Sequence, residues 1–60
     1  MQNFAVVIQG LGWEDVQDIE LLRAPSEGDL IETRYGTCIV TKVELVPDAS
    51  HTGRITCRLP

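Results

Sequence analysis

Apolar residues along this chain come in short runs with a period of two. Between Phe4 and Gln9, Phe4, Val6 and Ile8 fall on one face of an extended backbone and Ala5, Val7 and Gln9 on the other, which predicts a well-buried first strand. The punctuation between runs is glycine and proline, at Gly10, Gly12, Pro25, Gly28, Gly36, Pro47 and Gly53. The segment Val16 to Ala24 carries two periods at once. Val16, Ile19, Leu22 and Arg23 fit a helix, and Glu14 with Asp15 would suit its first turn, whereas Ile19, Leu21 and Arg23 fit a strand. The spacing of turn signals along the rest of the chain favours strand, with a helix as the alternative.

Pro25-Ser26-Glu27-Gly28-Asp29 predicts a turn, because proline pre-sets one φ angle and glycine tolerates a positive one. A strand over 29–35, a tight connection at Tyr35-Gly36 and a long strand over 37–46 follow. Closing that hairpin with Arg34 opposite Thr37 pairs Ile31 with Val40, Thr33 with Cys38 and Asp29 with Lys42. In the long strand the apolar parity switches between Cys38/Val40 and Val43/Leu45, so a β-bulge is expected near Thr41-Lys42. A polar loop from Pro47 to Gly53 leads to a last strand over 54–59, with Ile55, Cys57 and Leu59 pointing inward. The expected fold is all-β: five short antiparallel strands in a meander, curled into a partly open barrel or roll.

The stretch Pro25-Ser26-Glu27-Gly28-Asp29-Leu30-Ile31, followed by Tyr35-Gly36, a valine-rich strand and Val46-Pro47-Asp48, resembles the P-x-x-G-D pattern of small SH3-like β-barrels in uncharacterised bacterial and phage proteins. The resemblance covers about the second half of the chain. It implies a fold, since the pattern is a turn followed by a strand start, and carries no chemistry of its own.

Size and charge narrow the function classes. Sixty residues starting at Met1 read as one complete small domain, which buries only about 60% of the surface its unfolded chain exposes and is short of stability unless something staples it. Nine acidic against five basic side chains, a net charge of −4, argue against a protein that lives by neutralising phosphates, and the acids are too interleaved with arginines to mimic nucleic acid. No apolar run approaches the ~18 residues that span a bilayer, and Met1-Gln2-Asn3 lacks the positive start of a secretory signal, so a cytoplasmic protein without a membrane role is expected.

Candidate chemistry is sparse. In the expected register Cys57 lies opposite Val43 and about five residues, roughly 16 Å, from Cys38, too far for a disulfide; two buried free thiols in a reducing compartment are expected. His51, Asp48 and Asp29 stand at no metal-ligand spacing with these cysteines, and His51 reads as a solvated loop residue, so no metal, cofactor or catalytic residue is assigned. Gly10-Leu11-Gly12 lacks the later glycine and the Lys-Ser/Thr pair of a phosphate loop. One Phe, one Trp and one Tyr are too few for an aromatic peptide groove or cage.

What remains is surface. Trp13, after Gly-Leu-Gly, either folds over an open end of the barrel or contacts a partner, and Arg34 and Tyr35 at a hairpin tip pose the same alternative. Leu30 and Ile39 share the face opposite the Ile31/Val40 core row, together with Glu32 and Thr41, and a half-apolar outer face invites a partner sheet or strand. The expected function is a small non-catalytic module that binds a protein or its own copies through Trp13, Leu30 and Ile39, with Arg34 and Tyr35 at the rim. The alternative is an oligomer that grips a small molecule or nucleotide between subunits with Arg54, Arg58 or Lys42; single-stranded nucleic-acid binding ranks behind both.

Overall fold

The computed structural model describes residues 1–60 as five strands and no helix. They are β1 (Gln2–Gly10), β2 (Trp13–Leu21), β3 (Leu30–Thr33), β4 (Gly36–Glu44) and β5 (Gly53–Arg58). The sheet runs β2-β1-β5-β4-β3 and curls into a partly open barrel of the SH3-like kind. The double period of the second segment thus resolves as strand, and that strand begins at Trp13 instead of Val16. Ile19 and Leu21 pack against the core, as the strand reading requires, while Leu22 lies beyond the strand and is 83% exposed.

One connection differs from a meander. β1 pairs antiparallel with β2 and parallel with β5, Val6 standing opposite Ile55 and Ile8 opposite Cys57. Two paired neighbours make β1 an interior strand, and its sequence carries the mark of one: Val6, Val7 and Ile8 are all buried, an unbroken run in place of strict alternation. Residues 22–29 carry the chain from the β2 edge to the β3 edge at the other side of the sheet. So short a link suffices because curling brings those two edges together.

The β3–β4 hairpin is two residues tighter than the sequence register. Thr33 pairs with Gly36, Ile31 with Cys38 and Leu30 with Ile39, in place of Ile31 with Val40 and Thr33 with Cys38. The reason lies in Gly36, whose φ of 110° only glycine adopts without strain, and in Thr33, whose hydroxyl donates to the Gly36 carbonyl at 2.8 Å and accepts from the Tyr35 amide at 3.1 Å. A shift of two preserves parity, so the expected core row survives: Ile31, Cys38 and Val40 are buried.

The bulge is where the parity switch placed it. Register slips between Val40, opposite Cys57, and Lys42, opposite Thr56, leaving Thr41 unpaired. After it Val43 faces inward opposite Ile55, and Leu45 and Val46 lie past the strand, exposed. The core comprises Phe4, Val6, Ile8, Ile31, Cys38, Val40, Ile55 and Cys57, with Ile19, Leu21, Ala24, Val43 and Leu59 packed around it.

The slip also corrects the cysteine geometry. Cys57 sits opposite Val40, not Val43, so Cys38 is two residues along the neighbouring strand instead of five, and the two side chains meet. Both are free and buried, as expected. Burial, with the neighbouring Cys38 thiol adding to it, pushes the Cys57 thiol up to about 12.

Candidate functional site

The barrel closes at a polar seam between β2 and the β3–β4 turn. The inward positions of β2 are Trp13, Asp15, Gln17, Ile19 and Leu21, so the core face of this strand turns polar toward its start. Gln17 Oε1 accepts from the Arg34 amide at 3.0 Å, the Asp15 carboxylate accepts from the Tyr35 hydroxyl, and Arg34 Nη1 stands 3.9 Å from Asp15 Oδ2. Trp13 stacks on Tyr35 with ring centroids 4.8 Å apart and planes tilted by 57°. Its indole also lies against Gly10, where a Cβ would collide with the ring. The Tyr35 hydroxyl holds the Asp15 carboxyl below its usual value, and Asp15 in turn raises the Tyr35 phenol.

Three of the five surface candidates therefore come together here: Trp13, Arg34 and Tyr35. They occupy one another, and 41% and 43% exposure leaves the two aromatic rings half available. Leu30 and Ile39 form a separate pair on the outer face, directly opposite each other across β3 and β4 and 65% and 41% exposed. That pair lies three register steps, about 10 Å, from the turn.

Arg58 joins the two groups. It pairs with Ile39 on one side and Gln9 on the other, and Gln9 pairs with Glu14, so Leu30, Ile39, Arg58, Gln9 and Glu14 form one row across the whole outer face. Arg58 also lines two shallow clefts beside Trp13, of about 540 and 420 Å³. No salt bridge engages Arg58 or Arg54, and Lys42 reaches only Glu44, at 3.9 Å. Periodicity could assign Arg58 to the outward face of β5, but its place beside Ile39 depends on the bulge and its place beside Trp13 on the parallel β1–β5 pairing.

A second constellation, on the outer face of β1 and β2, corrects the expectation of a solvated histidine. The loop between β4 and β5 folds back over β1, where Asn3 Nδ2 donates to the Ser50 carbonyl at 3.1 Å and the Thr52 amide donates to the Asn3 carbonyl at 2.7 Å. This carries the His51 ring to β2, with Nε2 2.9 Å from Asp18 Oδ1 and Nδ1 3.2 Å from Asp48 Oδ1, leaving the side chain 19% exposed. Asp48 is fixed by the Ser50 and His51 amides at 2.8 and 2.7 Å, which hold its carboxyl below the usual range. Asp18 raises His51, with Asp48 adding to the effect against partial burial. The Asp48-to-His51 turn is legible as an aspartate accepting from amides two and three residues on. Nothing local announces Asp18, 33 residues away.

The chain matches no family model, and comparison with characterised proteins and with solved structures gives no match.

Proposed function

We propose that this protein is a small non-catalytic interaction module that acts by self-association, through the outer face of β3 and β4. The observation that carries the reading is the Leu30–Ile39 pair, two large apolar side chains in register and exposed on a four-residue edge strand and its neighbour. A stable interface buries about 800 Å² per partner, roughly a fifth of the 4034 Å² surface of this chain. Two side chains do not supply that area, so the contact extends along the row to Arg58 and the clefts beside Trp13. Two buried free thiols fit a reducing compartment, and we place the protein in the cytoplasm.

Sedimentation equilibrium of Ile39→Glu and Trp13→Ala tests this. Ile39→Glu places like charges at the centre of the contact and abolishes association, whereas Trp13→Ala weakens it; unchanged sedimentation of both variants refutes the proposal.

One observation favours a second reading, a small anionic ligand or nucleotide held between subunits. Arg54 and Arg58 lie two positions either side of Thr56 on the outer face of β5, free of salt bridges, and Lys42 stands beside them on β4. A nucleotide at a hundred times its dissociation constant adds about 2.7 kcal/mol of stability, visible as a thermal shift.

A further inference from the structure

We infer that the loop between β4 and β5 is a pH-gated strap, pinned across the outer face of β1 and β2 while His51 carries its second proton and released when it loses it. Both ring nitrogens of His51 face carboxylates, Nε2 toward Asp18 and Nδ1 toward Asp48, and an ionised carboxylate only accepts. A neutral imidazole has one N–H, so it leaves one nitrogen lone pair pointing at a carboxylate oxygen. Only the imidazolium satisfies both contacts.

Of the two, the Asp48 contact is internal to the loop and travels with it, whereas Asp18 belongs to β2 and is the anchor. Other charged groups on this face are Arg54 on β5 and Glu44 on β4, which line the same groove of about 600 Å³, and Glu20 on β2, opposite Asn3. Of the charges around it, Asp18 and Asp48 are the two that act on His51. Ala5, Val7 and Val16 line the same groove; Val7, on the outward face of β1, is only 5% exposed, whereas Val16 at its rim is already 53% exposed. Release of the strap uncovers Val7, a surface distinct from the Leu30–Ile39 pair.

His51 titrates above its ordinary 6.5, so its hold is complete below that value and is lost as pH rises through the higher midpoint of the pinned state. Linkage ties the two quantities together: strap closure weakens by about tenfold for each pH unit by which the pinned midpoint exceeds the free one.

NMR of the whole chain reads both. The His51 midpoint is measured from its ring protons, and the protection of the Thr52 amide, which donates from the strap to the Asn3 carbonyl of β1, is followed, corrected for intrinsic exchange, from roughly pH 5.5 to pH 9. We expect a midpoint above 6.5 and a fall in protection by the factor the midpoint dictates, while interior amides of β1 and β5 keep theirs. In Asp18→Asn the midpoint drops, and strap protection at the acid end falls toward its high-pH value. A His51 midpoint at or below 6.5, or strap protection that stays flat through the titration, overturns the inference whatever the oligomeric state.

Discussion

Shortening Ile55 tests the assignment of inner and outer faces most cleanly. Ile55 sits at the middle of β5, opposite Val6 of β1 and Val43 of β4, and is fully buried. Ile55→Val removes one methylene from a site with neighbours on both sides and costs about 0.5–1.5 kcal/mol. For a domain of this size each kcal/mol lowers Tm by about 4–8 °C, so a drop of roughly 2–12 °C is expected. Ile55→Ala costs about 2–5 kcal/mol, comparable to everything a 60-residue core supplies, and leaves the chain largely unfolded at about 37 °C. The same chemistry on the other face is the control: Ile39 is 41% exposed, and Ile39→Val stays within about 0.5 kcal/mol. Thermal unfolding followed by circular dichroism, at a dilution where the chain is monomeric so that Ile39 acts only as a surface residue, measures all three. Equal shifts for Ile55→Val and Ile39→Val, or an Ile55→Ala variant that stays fully folded at body temperature, would refute the placement of the core.

The polar seam has its own pH window. The lowered Asp15 carboxyl contributes above its ordinary 3.8 and loses its hold as pH falls through the lower folded value, while the raised Tyr35 phenol contributes below 10 and loses its hold as pH rises through the higher folded one. Fluorescence of Trp13, the single tryptophan, should be steady between these limits and change beyond both; Asp15→Asn should return the Tyr35 absorbance titration toward 10, and an unchanged phenol would break the pairing. Two glycines separate backbone strain from crowding. Gly36→Ala forces a positive φ on an L-residue at about 1–2 kcal/mol, whereas Gly53→Ala brings a Cβ to 2.6 Å from the Glu44 carbonyl oxygen and should open the β4–β5 ladder locally in hydrogen exchange. The two thiols should react with a thiol reagent only as fast as the chain unfolds, since both are buried and the Cys57 thiol is pushed up to about 12; fast native labelling would contradict their burial.

The strands were legible because alternation is a local property. Phe4, Val6 and Ile8, then Ile31, Cys38, Val40, Ile55 and Cys57, all face the core side that their parity assigns. The bulge was legible too, since a single strand can switch its buried parity between Val40 and Val43 only by inserting an unpaired residue. Hairpin register was not: a shift of two residues leaves every parity unchanged, and only the positive φ of Gly36 and the Thr33 hydroxyl decide it. Sheet order escaped for a related reason, because parallel β1–β5 pairing joins segments far apart in the chain and leaves no mark except the buried run Val6-Val7-Ile8. The composition of the surface followed from these two facts. Leu30 opposite Ile39, Arg58 beside Trp13 and Asp18 under His51 are all consequences of register or sheet order, so local pattern pointed to some of the residues and not to their company.

Light scattering across a dilution series, in reducing buffer, tests self-association most directly. Dimer formation through β3 and β4 predicts a molar mass near twice the 6.7 kDa of the chain at high concentration, falling toward the monomer on dilution and staying at the monomer for Ile39→Glu. A mass of one chain at every concentration would contradict it and leave the Leu30–Ile39 face to a different protein.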